Sequence, residues 1–155
     1  MYKQFNIDQL LIMVKHWKDL GKIIVWTNGC FDLFHPGHLR TLKIAKTYGD
    51  ILIVGVNSNE SVFKLKGANR PIIDEVGRID IISELTCVDA VILMQELAPC
   101  SLIEKIQPNF CCKGEEYLNK EIPEIKVISS YGGQIKFIPR IVEISTSCII
   151  NKIKC

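Results

Sequence analysis

Apolar residues recur along this 155-residue chain in two alternating rhythms. Ile7, Leu10, Leu11, Val14 and Trp17 keep helical spacing; Asn6 can cap that segment, Gln9 three residues on resembles a capping box, and Gly21 is a stop. Ile23 to Trp26 is then a short continuous apolar run, the pattern of a buried strand. Thr27 to His38 is polar and glycine-bearing and reads as a loop, followed by a helix from about Gly37 to Tyr48 with Gly49 as its C-terminal glycine. Ile51 to Val56 predicts a second buried strand, and Asn57 to Asn59 can start a short helix near Glu60. Leu65 to Pro71 reads as a loop punctuated by Gly67 and Pro71. Asp74 can cap a helix to about Leu85, Ala90 to Leu93 reads as a strand, and Pro99 suits the first turn of a helix ending near Ile106. Phe110 to Cys112 and Val127–Ile128 read as strands, Tyr131 to Gly133 as a turn, Ile135 to Ile138 as a further strand, and Ser145 opens an isoleucine-rich last helix.

Strands alternating with helices predict an α/β fold: a Rossmann-like three-layer domain with a central parallel sheet and helices on both faces. The length fits one domain, 1–155, with no internal repeat, low-complexity segment or linker. Ligands of such sheets bind beyond the carboxyl ends of the strands, which is where Thr27 to His38 falls.

Charge and cysteine content narrow the partners. With 19 basic and 17 acidic residues the formal charge is only +2, which argues against a non-specific nucleic-acid binder but allows local phosphate pockets. The N-terminal stretch is charged throughout and no run of about 18 apolar residues occurs, so neither a signal peptide nor a membrane span is expected. The seven cysteines are irregularly spaced, without a CxxC pair, and read as reduced thiols of a cytoplasmic protein. Cys111 and Cys112, adjacent in a strand, should point to opposite faces.

The chemistry concentrates in His35-Pro36-Gly37-His38. Proline suits a helix N-terminus and Gly37 lets a ligand approach the backbone, so two imidazoles would stand beside free amides and a helix dipole that favour an anion. A turn with two surface histidines is the plain alternative; two histidines and Asp32 are too few for a zinc site. The context is a buried strand, Thr27-Asn28-Gly29, then Phe31-Asp32, then histidines at a helix start.

That twelve-residue block, TNGCFDLFHPGH, resembles the signature of the cytidylyltransferase-like nucleotidyltransferase superfamily. GVNSNESVFKLKG, NRPI, Arg78, CKGEEY, YGG and ISTS follow in order, and together they are most similar to the branch that adenylylates D-glycero-D-manno-heptose 1-phosphate. The resemblance spans nearly the whole chain. It implies attack by a sugar 1-phosphate on the α-phosphorus of ATP, with Mg2+ escorting the triphosphate and pyrophosphate leaving. A phosphomonoester is largely ionised near neutral pH, with a second pKa of about 6, so no strong base is needed and catalysis becomes positioning and charge stabilisation. It further implies a homodimer and, the chain being too short for a fused sugar kinase, a separate kinase upstream.

By the same resemblance His35, His38 and Lys66 would be catalytic, and Thr27, Asn28, Gly29, Phe31, Lys113, Gly114, Ser145, Thr146 and Ser147 would hold the nucleotide. Asp32, Asn57, Arg70, Arg78 and Tyr117 would hold the sugar phosphate, with no protein-bound metal. Other roles stay open: Lys64 as a solvated lysine, Arg78 as an exposed helix residue in ion pairs, Asp32 as an acceptor that holds its own loop, Ser145 as an ordinary N-cap, Tyr117 as packing. The chain departs from the family pattern at Asn59, at Glu115-Glu116 and at Ser147, which bears on the base and the sugar. No Walker A string exists, so a P-loop kinase is excluded. A cytidylyltransferase for glycerol phosphate or a similar ester, and a non-catalytic nucleotide-binding module, are the rival functions.

Overall fold

The structure, a computed structural model, describes residues 3–140 and 144–154. Its strands are β1 (Gln4–Phe5), β2 (Ile24–Gly29), β3 (Ile51–Asn57), β4 (Ala90–Met94), β5 (Phe110–Gly114) and β6 (Gln134–Ile138). Its helices are α1 (Ile7–Asp19), α2 (Pro36–Lys46), α3 (Asn59–Lys66), α4 (Glu75–Ser83), α5 (Cys100–Ile106), α6 (Glu124–Ser130) and α7 (Thr146–Lys154), with a 3-10 turn at Glu115–Tyr117. All strand pairs are parallel, in the order β1-β4-β3-β2-β5-β6.

The two faces of the sheet follow the period of two in the buried strands. Ile24, Trp26, Ile53, Ala90, Ile92 and Cys111 join a core with Leu10 and Val14 of α1 and Ile103 and Ile106 of α5. The intervening Val25, Leu52, Val54, Val91 and Cys112 join a second core with Leu42 and Ala45 of α2 and Ile82 of α4. The adjacent cysteines therefore do face opposite layers, and the three-layer α/β architecture is as expected. Trp26 lies across Gly55 of β3, where a Cβ would come within 2.7 Å of the ring.

Helix ends follow their capping residues. Asn6 and Gln9 form the full capping box of α1, Ser58 caps α3, and Asp74 caps α4 by accepting from the Gly77 amide. Gln107 ends α5 in the left-handed region at φ 48° with its side chain in solvent. Glycine reaches that conformation without Cβ strain. Gln107→Gly is therefore expected to stabilise the fold by about 1 kcal/mol, raising Tm by roughly 2–4 °C in a thermal melt.

Three elements differ from the sequence expectation. Val127–Ile128 is not a strand but the middle of α6: Pro123 starts the helix, and Ile128 with Val127 packs on the α1–α5 side of the sheet, so burial overrides the β-preference of Val and Ile. Thr27, Asn28 and Gly29 complete β2, pairing with Val54, Gly55 and Val56. Lys66 is the last residue of α3 rather than part of a loop. The two-residue β1, held against Val91 and Ile92, is too short to leave a pattern.

Candidate active site

The chain runs β2, β3, β4 toward one edge of the sheet and returns as β5 and β6 on the other side of β2. The order therefore reverses between β2 and β5, where the diverging loops of a parallel sheet open a crevice. A cavity of about 620 Å3 lies there, lined from the ends of β2, β3, β5 and β6, the first turns of α2 and the start of α7. Every site residue expected from the sequence lines it except Arg78. A more open hollow of about 740 Å3 beside β1 offers one ionisable group, Glu96, whose carboxylate is spent on Ser101 and Leu102 at the start of α5.

The histidine loop is built around α2. His35 is its N-cap, and the Gly37 amide donates to His35 Nδ1 at 3.1 Å. An accepting Nδ1 puts the proton of the neutral ring on Nε2, which makes that nitrogen a donor. The ring lies over Gly37, where a Cβ would stand 2.8 Å from it, so the motif needs glycine for closeness. His38 stacks on His35 with centroids 3.7 Å apart, flanked by Phe31 and Phe34. Among the described residues His38 Nδ1 is buried without a partner. Burial, then the Arg140 charge, lowers the His35 pKa. Burial, then His35, pushes His38 down to about 3, Asp32 opposing and Arg70 assisting. Both rings are thus neutral hydrogen-bonding groups in the ligand-free protein near pH 7.

Asp32 anchors this loop to the rest of the cavity. Its carboxylate, fully buried, accepts from Arg70 Nε at 2.5 Å and from the Ile72 and Ile73 amides at 2.9–3.0 Å. Its backbone carbonyl accepts from the Thr146 hydroxyl at 2.6 Å, which ties α7 to the same point. Those contacts make Asp32 the loop-holding acceptor of the two roles open to it. Phe31 at φ 51° and Leu33 at φ 48° flank it in the left-handed region, so the loop carries backbone strain on both sides of its anchor.

Arg78 is corrected. It is neither a phosphate clamp nor an exposed helix residue: its side chain is fully buried, outside the cavity lining. Nε donates to the Ile73 carbonyl, Nη1 to the Cys30 and Asn57 carbonyls at 2.6 Å each, and Nη2 to Asn59 Oδ1. These commitments leave too little of the guanidinium for a bidentate phosphate contact. Asn59, one of the departures, is therefore an acceptor for this cation.

Other side chains line the cavity while already engaged. The Thr27 hydroxyl donates to the Cys112 carbonyl, and Asn57 donates to Ser61. Lys113 is buried against Glu124 and also donates to Asn28 Oδ1 at 3.0 Å. Ser145 accepts from the Cys148 amide as an N-cap, and Ser147 is exposed. Tyr117 packs beneath the ammonium groups of Lys113 and Lys120. Lys66 is exposed on the rim. The Glu115-Glu116 departure resolves into two orientations: Glu115 stands outside the lining, whereas Glu116 lines the cavity with its carboxylate over Gly114. Burial pushes the Cys30 thiol up, so it is no thiolate nucleophile.

Arg40, Arg140 and Glu124 also line the cavity and have no role in the sequence reading. Arg140 follows β6 by two residues, a position the strand-end rule could have flagged, and Arg40 sits on the first turns of α2. Among the described residues no group of three or more His, Cys, Asp and Glu side chains could hold a metal ion. No helix is long and apolar enough to cross a membrane among the described residues.

A family model described as cytidylyltransferase-like matches residues 26–152. The bifunctional protein HldE of Geotalea uraniireducens (strain Rf4) is 45% identical over 149 residues, covering 96% of this chain and 30% of that protein. HldE of Helicobacter pylori (strain HPAG1) is 42% identical over 152 residues, 98% of this chain and 31% of the relative. The chain thus spans under a third of the length of these curated relatives. Among solved structures, the lipopolysaccharide core biosynthesis protein from Thermoplasma volcanium GSS1 matches with TM-score 0.63 at 30% identity, over 77% of this chain and 97% of that one. Pantothenate synthetase from Thermus thermophilus matches with TM-score 0.68 at 12% identity, over 96% of this chain and 67% of that one, and shares the fold alone.

Proposed function

Because this chain belongs to the cytidylyltransferase-like family of nucleotidyltransferases, we propose that it joins a sugar 1-phosphate, D-glycero-D-manno-heptose 1-phosphate, to ATP, giving ADP-heptose and pyrophosphate. The observation that carries this reading is the stacked, neutral His35–His38 pair at the start of α2, inside a cleft edged by Lys66, Arg70, Arg40 and Arg140. An oxygen of the sugar phosphate attacks the α-phosphorus, and the bond from that phosphorus to the oxygen bridging to the β-phosphorus breaks. Pyrophosphate leaves with the electron pair. The nucleophile needs no base, so the protein's task is to align the groups and to donate hydrogen bonds as charge moves onto the leaving oxygen.

His35 and His38 suit that donor role, and Lys66 at the end of α3 supplies a mobile cation for the phosphates. The start of α7, with Ser147, and the end of β5, with Lys113 and Gly114, would take the nucleotide. Magnesium comes as MgATP. The same reading makes the protein cytoplasmic and a homodimer, and requires a sugar kinase to make its 1-phosphate.

The test incubates the protein with ATP, CTP or GTP against heptose 1-phosphate, glycerol phosphate and a phosphorylated amino alcohol, and measures pyrophosphate. Release with ATP and heptose 1-phosphate is expected. Release with CTP alone overturns the adenylyl assignment, and release with no pair indicates a nucleotide-binding module.

A further inference from the structure

We infer that Arg78 is a positioning residue for the histidine loop, an inference that rests on the adenylyl-transfer reading for its kinetic consequence. The guanidinium is fully buried and has no carboxylate within salt-bridge distance among the described residues. Its hydrogen bonds run to oxygen dipoles from three places, Cys30 just beyond β2, Asn57 and Asn59 where β3 passes into α3, and Ile73 before α4, while the Asp32, Glu75 and Asp74 carboxylates act on it only from beyond salt-bridge distance. Desolvating a cation is expensive, and these hydrogen bonds offset the cost only while the backbone oxygens are held where the guanidinium meets them.

That geometry is specific. Holding the Cys30 carbonyl fixes the plane of the Cys30–Phe31 peptide, because the trans peptide is rigid. The Phe31 amide, antiparallel to that carbonyl, is turned away from the guanidinium; among the described residues it has no acceptor. Phe31 itself is held at φ 51° and packs edge-on against His38. Arg78 Nε takes the Ile73 carbonyl while Asp32 takes the Ile73 amide, so one peptide segment is gripped by both anchors of the loop. A rigid fork reaches all these oxygens at once; an ammonium on a flexible stem does not.

The inference is tested with Arg78→Lys and Arg78→Ala in hydrogen exchange and in steady-state kinetics. In Arg78→Lys the Ile72 and Ile73 amides, which donate to Asp32 of the loop, should exchange at least about tenfold faster while those of β3 and β4 stay slow, the signature of local opening. Turnover should fall by at least ~30-fold with KM for ATP changed less than about threefold, because misplaced groups lose transition-state contacts rather than ground-state binding. Low millimolar guanidinium should restore part of the Arg78→Ala turnover. Unchanged exchange at Ile72 and Ile73, or a rise in KM with kcat intact, overturns the inference, the second by making Arg78 a direct ligand contact. Should Arg78→Lys not fold, Asn59→Ala removes a single partner and must still accelerate exchange at Ile72 and Ile73. If the wild-type protein transfers no nucleotide, the functional reading fails, and the exchange measurement still decides the role of Arg78.

Discussion

Replacing His35 or His38 by alanine is expected to lower nucleotidyl transfer at least about 100-fold, with the circular dichroism spectrum unchanged, the scale seen when a transition-state donor is lost. The rings stack at 3.7 Å and are both depressed, so they cannot both be cations in the free protein. His38 lies at about 3, and its charge does not change between roughly pH 5 and 9. The pH dependence of kcat/KM for the sugar phosphate should then carry no limb from His38 and rise through the substrate's second pKa of about 6. A decline above about pH 7 would show that a protonated imidazole of the free protein is required. The depressed pKa also has a stability sign. The unfolded chain binds a proton at His38 below about 6.5 and the folded chain does not, so stability falls as pH drops through that value. His38→Gln should flatten that part of the melting profile. Wild-type turnover in both alanine variants would sink the mechanism.

The pattern of the chain revealed the sheet because each buried strand alternates between two cores, and the helices because their caps are conventional. It failed where tertiary contacts override local preference. Val127 and Ile128 carry the residue types of a strand but follow Pro123, and they are helical because α6 must cover the sheet. The cavity was legible because its residues sit at strand ends, a rule that needs only the element order. What those residues do there was less legible. Arg78 looks like a ligand-binding or exposed charge in the sequence, whereas three of its four partners are the backbone carbonyls of Cys30, Asn57 and Ile73. Backbone acceptors leave no residue-type signal. Lys113 likewise gave no hint of Glu124, since an ion pair from β5 to α6 depends on a helix the pattern had read as a strand.

Asp32→Asn is expected to be the most damaging conservative change, costing about 3–5 kcal/mol of stability at neutral pH, the scale for breaking a buried, hydrogen-bonded ion pair. Either orientation of the new amide sets an NH2 group against donors, because one carboxylate oxygen faces Arg70 Nε and the Ile72 amide and the other faces the Ile72 and Ile73 amides. Turnover should fall with stability, since Arg70 and the strained Phe31 to Leu33 stretch lose the same anchor. Burial by itself would raise the Asp32 pKa, but the Ile73 and Ile72 amides and Arg70 outweigh it and leave the carboxyl below its ordinary value. The sign follows. The unfolded carboxyl titrates near about 3.9 and the folded one lower, so the contribution is complete above about pH 5 and is lost as pH falls through the folded value. The gap in Tm between wild type and Asp32→Asn should therefore be constant from about pH 7 to 5 and close below about pH 4, as the wild type loses what the variant never had. Equal Tm values near neutral pH, or a gap that widens in acid, would show that the carboxylate is not the anchor of the histidine loop.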